Sequence, residues 1–210
     1  MKRKETPSAP RFDGMKEHTL SLKKEGYKVV ALAGNPNVGK SSVFNNLTGL
    51  RQHTGNWAGK TVSNATGYYK KDDKKYAIVD LPGCYSLYPH SLEESVARNF
   101  ICFGGADCVI VICDATCLER NLILALQTIE VQENVVLCLN MIDEARKKHI
   151  EIDTEELSLL LGVPVVECSA RKNIGLDTLI ETVENTFSQS KKEKLIIDYG
   201  EIAEKEIAHL

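Results

Sequence analysis

Residues 27–42 read YKVVALAGNPNVGKSS, and the reading of this stretch decides the fold. Its opening run, YKVVALA, has the apolar, partly β-branched character of a central strand. That run leads straight into Gly34-Asn35-Pro36-Asn37-Val38-Gly39-Lys40-Ser41, which fits the pattern GxxxxGK[ST]. A helix is predicted to open at Lys40, so strand, loop and helix follow in the order a phosphate-binding loop requires. The glycines let the backbone curl until amide N–H groups point at phosphate oxygens, and the helix N-terminus adds partial positive charge. Lys40 can reach β- and γ-phosphates as a compact point charge, the Ser41 hydroxyl can ligate magnesium, and Ser42 can touch the α-phosphate. Such a pattern arises by chance in roughly one chain of this size in a hundred at average residue usage. The flanking strand and helix make chance rarer still. The loop alone does not choose the base, because ATP- and GTP-dependent enzymes share it.

Outward from the loop, apolar runs of strand length alternate with helical segments, which indicates α/β architecture around a parallel sheet. Strands are predicted at 27–33, 75–80, 107–114, 134–140 and 164–169, with a more polar edge strand at 65–71. Their near-continuous apolar character suits strands covered on both faces. Helices are predicted to begin near Lys40, Leu92, Leu118 and Ile174, and another covers 154–161. The expected fold class is therefore α/β: a mostly parallel six-stranded P-loop sheet flanked by helices. Residues 1–25 are polar and aperiodic and read as a disordered leader, 26–188 as the globular domain. Residues 189–210 read as a charged link and the truncated beginning of a helical domain, since an amphipathic pattern stops there without a cap.

Composition narrows the partners. A net charge of −3 and a pI near 6.0 supply no basic face, so no nucleic acid is expected. The seven cysteines are odd in number and none lies in a CxxC pair, which predicts reduced, mostly buried thiols rather than disulfides or zinc ligands. With no bilayer-length apolar run and no signal-peptide pattern, the chain is expected to be soluble and cytosolic.

Three further boxes specify the nucleotide. Asn140-Met141-Ile142-Asp143 ends a predicted strand and resembles the guanine box NKxD of the GTPase superfamily. The Asp143 carboxylate can accept paired hydrogen bonds from guanine N1–H and N2–H₂, a donor pair that adenine lacks. Asn140 is expected to brace the pocket, while Met141 replaces the usual lysine, losing its charge and keeping its aliphatic reach. Cys168-Ser169-Ala170 resembles the fifth box, with the Ala170 N–H expected at guanine O6 and Ser169 beside it. Asp80-Leu81-Pro82-Gly83 matches DxxG, where Asp80 holds magnesium through water and the Gly83 N–H bonds the γ-phosphate. Between the first helix and the edge strand, Thr61 is the candidate to complete the magnesium shell in a loop that orders with the γ-phosphate.

GNPNVGKSSVFNNLTG, QHTGNWAGKTV, VDLPGCYSL, ERNLILALQ and LNMID together resemble the N-terminal cytosolic G domain of the ferrous-iron transport protein B (FeoB) family, over roughly residues 27–188. The resemblance implies a P-loop GTPase fold, hydrolysis of GTP to GDP and phosphate, and magnesium as cofactor. It also implies a small helical domain and a membrane permease further along a longer protein, placing the parent in the bacterial inner membrane. It assigns Asn37, with backbone carbonyls of Gly55 and Trp57, to a potassium ion standing where an arginine finger acts in other GTPases. Cys84 follows the DxxG glycine, where many signalling GTPases place a water-orienting glutamine. A thiol orients water poorly, so slow intrinsic hydrolysis is expected. Lys40, Asn37, Thr61 and Gly83 make up the expected catalytic set. Two alternatives stand beside this reading: a soluble ribosome-assembly GTPase, which normally brings a basic RNA-binding module, and a nucleotide sensor that scarcely turns over.

Overall fold

The computed structural model describes residues 13–49, the backbone of 52–56, and residues 63–188, 199–200 and 204–205. A seven-stranded sheet in the order β2-β3-β4-β1-β5-β6-β7 forms its centre. Five strands run parallel: β1 (Lys28–Gly34), β4 (Lys74–Asp80), β5 (Cys108–Asp114), β6 (Val135–Asn140) and β7 (Val165–Glu167). The remaining two, β2 (Gln52–Asn56) and β3 (Ser63–Lys71), add an antiparallel edge. All six expected strands form in a mostly parallel P-loop sheet, and β2 extends its edge by one. β2 escapes a periodicity reading because QHTGN contains no apolar residue to alternate.

The apolar runs divide between two cores according to side-chain alternation. Val29, Ala31 and Ala33 of β1 face one layer with Val109 and Val111 of β5, while Val30 and Leu32 face the other with Ile110 and Ile112. On the first face lie α3 (Leu92–Phe103), α4 (Leu118–Val131), α5 (Ile142–Lys147) and α6 (Thr154–Leu161). The second face is covered by α2 (Lys40–Thr48) and α7 (Leu176–Ser188). Helix starts follow local chemistry. Ser91 caps α3 by accepting the Glu94 N–H at 3.1 Å, while the Glu94 carboxylate accepts the N–H of His90, one residue before the cap, at 2.8 Å. Asp153 caps α6 through the Glu156 N–H at 2.9 Å.

The expectation of a disordered leader is corrected for residues 13–24, which form α1 (Asp13–Lys24). Met15, Thr19 and Leu22 are buried at i, i+4 and i+7, so one face of α1 joins the first core. Lys23 pins its end through an ion pair with Asp107 at 3.0 Å, and the second Asp107 oxygen accepts the Val29 N–H at 2.8 Å. Two apolar residues in a polar segment are too thin a stripe for sequence periodicity to reveal. No described helix is long and apolar enough to cross a membrane.

Candidate functional site

Of the described residues, those expected at the phosphates and the base gather at the carboxyl ends of β1, β4, β6 and β7, around the N-terminus of α2. β1 ends at Gly34, and Gly39, at φ 84, turns the chain into α2. No side chain caps α2, which leaves its N-terminus open to an anion instead of a serine or aspartate oxygen. Asn37 also adopts a left-handed turn conformation, φ 67, which asparagine tolerates better than most residues. Pro36, Asn37, Ser41 and Ser42 are exposed at the loop, while Asn35 and Val38 are buried beneath it.

Lys40 Nζ lies 2.5 Å from Asp80 Oδ1, with the two side chains only 12% and 17% exposed. The ion pair brings the phosphate-loop lysine and the DxxG aspartate to one point. The Leu81 N–H then bonds the Leu32 carbonyl at 3.1 Å, and the Cys84 N–H bonds the Gly34 carbonyl at 3.2 Å, tying the DxxG segment to the loop. Gly83 sits so close that a Cβ there would stand 3.1 Å from Pro36 N. Cys84 is fully buried, and burial, reinforced by Glu94 and opposed by Lys40, pushes its thiol up to about 12. Such a thiol stays protonated at neutral pH and serves packing.

The base-side residues form a closed hydrogen-bonded set. Asn140, only 3% exposed, donates from Nδ2 to the Val38 carbonyl at 2.8 Å and accepts the Ala170 N–H on Oδ1 at 3.0 Å. One side chain thereby fastens the phosphate loop to the fifth box. The Ala170 N–H, expected at guanine O6, is here engaged by Asn140, so Ala170 also braces that side chain. The Ala170 carbonyl in turn accepts Asn46 Nδ2 from α2 at 2.6 Å, a tie that no sequence motif announces. Met141 holds φ 61, a conformation costly for a residue with a Cβ, and its terminal methyl lies 3.6 Å from where a Cβ on Gly39 would stand.

Asp143 receives the Ser169 hydroxyl on Oδ1 at 2.8 Å and the Lys172 ammonium on Oδ2 at 3.2 Å. The Ser169 bond first, and Lys172 after it, hold the carboxyl below its ordinary range, so it remains an acceptor. Lys172 was missed in the sequence. Its cation approaches the carboxylate from the turn after β7 (Ala170–Lys172), in a site whose usual box lysine is Met141.

The residues expected around the two cations are only partly placed. Gly55 lies in β2 opposite Asn64, whereas Trp57 and Thr61 fall outside the described residues. The oxygens present suit hard cations: one carboxylate at Asp80 and one exposed hydroxyl at Ser41 leave magnesium the rest of its shell for phosphate and water. Among the described residues no cluster of three or more His, Cys, Asp or Glu side chains could hold a metal.

Comparison with known proteins agrees with this geometry. A family profile described as "Ferrous iron transport protein B" matches residues 28–183. The Fe(2+) transporter FeoB of Salmonella typhimurium is 44% identical over 154 residues, covering 71% of this chain and 20% of its own length. The chain thus spans about a fifth of the curated relatives it matches. The G domain of the T. maritima FeoB iron transporter superposes with a TM-score of 0.71 at 42% identity, over 77% of this chain and 98% of that one. The cytosolic domain of T. maritima FeoB in a GDP form gives a TM-score of 0.82 at 42% identity, covering 86% of this chain and 72% of the other.

Proposed function

The chain belongs to the ferrous iron transport protein B family, and from that membership we propose that it is a G domain that binds GTP and hydrolyses it to GDP and phosphate. The observation that carries this reading is the pair of hydrogen bonds made by the Asn140 side chain, which join the loop for the phosphates to the loop for the base. In this reading the amides of residues 34–41 and the Lys40 ammonium cradle the phosphates, with Ser42 at the α-phosphate. The Gly83 N–H meets the γ-phosphate. Asp143, aligned by Ser169, accepts N1–H and N2–H₂ of guanine, and Met141 packs beside the ring. Hydrolysis joins a water oxygen to the γ-phosphorus as the bond to the bridging oxygen breaks, GDP leaves with that oxygen, and the water's proton passes to the phosphate released.

Magnesium, held by Ser41, Thr61 and Asp80, would neutralise charge on the β- and γ-oxygens. Potassium at Asn37 and the carbonyls of Gly55 and Trp57 would supply the positive charge an arginine finger gives elsewhere. With Cys84 buried and protonated, turnover without that cation is slow. Residues 26–188 form the G domain, and the link expected at 189–210 falls almost wholly outside the described residues. The parent protein moves ferrous iron across the bacterial inner membrane, and this chain is its cytoplasmic switch. The state of Cys84 also favours a second reading, a nucleotide sensor that scarcely turns over.

Titration with GDP and ADP tests the base assignment. Guanosine should be preferred by orders of magnitude, as expected of a site built to pair specific donors. Asp143→Ala should abolish most of that preference, and an unchanged preference would refute the assignment. Single-turnover hydrolysis in potassium against sodium then separates the two readings. A marked potassium preference that Asn37→Ala removes supports the activated GTPase, and equal slow rates support the sensor.

A further inference from the structure

The segment ERNLILALQ, residues 119–127, marks the family but has no part in the boxes that read the nucleotide. It forms the first turns of α4, a helix anchored by Leu124, Ala125 and Ile129 in the first core. Three contacts leave this helix toward the site. Asn35 Nδ2, in the phosphate loop, donates to the Arg120 carbonyl at 3.4 Å. The Arg120 guanidinium carbon stands 4.5 Å from the centroid of the Tyr85 ring, cation over π face. Two turns further along α4, Gln127 Oε1 accepts the Leu87 N–H at 2.7 Å. Positions 120 and 127 share one helix face, so α4 presents two grips to the segment that follows the DxxG box.

Cys84 at its start is buried and bonded to Gly34, and Leu87 packs against the first core, but the residues around Leu87 are open to solvent. Tyr85 is 41% exposed, and Tyr88 beyond it is 78% exposed. Yet Gly83, immediately upstream, packs against Pro36, on the side of the phosphate loop where a γ-phosphate meets the DxxG amide. We propose that α4 is the docking platform for residues 84–87, and that Arg120 and Gln127 are positioning residues that preorganise Gly83 for the γ-phosphate. The inference rests on the GTPase reading above. It assigns ERNLILALQ a role in telling GTP from GDP: a diphosphate makes no demand on Gly83, so the grips matter only when the third phosphate is present.

The test compares affinities for GDP and for a non-hydrolysable GTP analogue in the 210-residue chain. Arg120→Ala and Tyr85→Leu should each lower the analogue-to-GDP affinity ratio by roughly two- to five-fold, the reach of an exposed cation–π pair. The double variant should lose no more than either single change, and Tyr85→Phe, which keeps the ring, should match the parent chain. Gln127→Leu should lower the ratio further and speed hydrogen exchange at the Leu87 amide, a readout that simple packing by α4 would leave still. If the parent chain binds both nucleotides while Arg120→Ala and Tyr85→Leu leave the ratio unchanged, or move it toward the analogue, the docking role is wrong. It is equally wrong if Tyr85→Phe is as damaging as Tyr85→Leu. A parent chain that binds neither nucleotide overturns the GTPase reading, and this inference with it.

Discussion

Replacing Gly39 with alanine strikes the phosphate loop and the base pocket together. The residue holds φ 84, which costs an alanine roughly 1–2 kcal/mol. Its new methyl would stand 2.3 Å from Asn140 Nδ2, well inside contact distance. Asn140 cannot swing aside freely, because Nδ2 is bonded to Val38 and Oδ1 to Ala170 in a buried setting. Breaking those bonds leaves buried groups unsatisfied at about 1–3 kcal/mol each. The sum is about 3–8 kcal/mol, a large share of the ~5–15 kcal/mol that holds a typical domain. Thermal unfolding should therefore fall by roughly 10 °C or more for a domain of this size, and GDP binding should weaken with it. Asn140→Ala removes the obstacle, so the double variant should be less destabilised than the two single changes added together. A Gly39→Ala chain melting within ~2 °C of the parent, or strict additivity with Asn140→Ala, would refute the coupling.

Two further outcomes follow from the protonation states. Cys117 is exposed, whereas Cys84, Cys108, Cys113, Cys138 and Cys168 are buried, with Cys84 pushed up to about 12. A thiol reagent at pH 8 should label Cys117 first and reach Cys84 only on unfolding. Labelling of Cys84 as fast as Cys117 would remove the buried thiol from the account. Asp143 is depressed in the folded chain, chiefly by the Ser169 hydroxyl. Its contribution is therefore complete above the ordinary carboxylate range and is lost as pH falls through the lower folded value. A carboxyl-carbon titration by NMR should place Asp143 below an unperturbed aspartate, and Ser169→Ala should raise it. An Asp143 that titrates at the ordinary value contradicts the pairing.

Sequence disclosed what repeated patterns encode and missed what single contacts build. The five parallel strands were legible because both faces are buried, so Val29 to Ala33 or Val109 to Cys113 carry no polar interruption. Two elements stayed hidden: β2, whose QHTGN pairs through backbone alone, and α1, held by Met15, Leu22 and one Lys23–Asp107 ion pair. In the site, residues with a fixed chemical task stood out by type and spacing, from Lys40 to Asp143. Arg120, Gln127, Asn46 and Lys172 did not, since each acts through a neighbour far along the chain or through a turn whose geometry folding alone decides. Ala170 shows the limit from the other side. Its motif was recognised, but the partner of its N–H depended on where Asn140 pointed.

The strand order explains why these separate motifs meet at all. From β1 the chain first goes to the far edge at β2 and returns inward through β3 to β4 on one side, then crosses to β5, β6 and β7 on the other. The crevice at a reversal of this kind opens beyond the carboxyl ends of the strands, where connections leave in opposite directions and no loop covers the sheet. The phosphate loop, leaving β1, lies at that reversal. Its neighbour on one side, β4, ends at Asp80, and the register that sets Leu32 opposite Asp80 puts the carboxylate at the level of the loop. On the other side Gly34 is level with Ile112, and two residues beyond it Asp114 is level with Asn140, which brings β6 up to the same rim. A shift of two residues in either ladder would move Asp80 or Asn140 by about 7 Å, farther than either side chain could recover. The register in turn depends on side-chain alternation into two cores, since a slip of a single residue would turn each buried strand's Val and Ile to the wrong layer. Packing that looks purely structural therefore sets the distance between the base pocket and the phosphate loop, and core substitutions that disturb β1, β4 or β6 act on nucleotide recognition without touching the nucleotide.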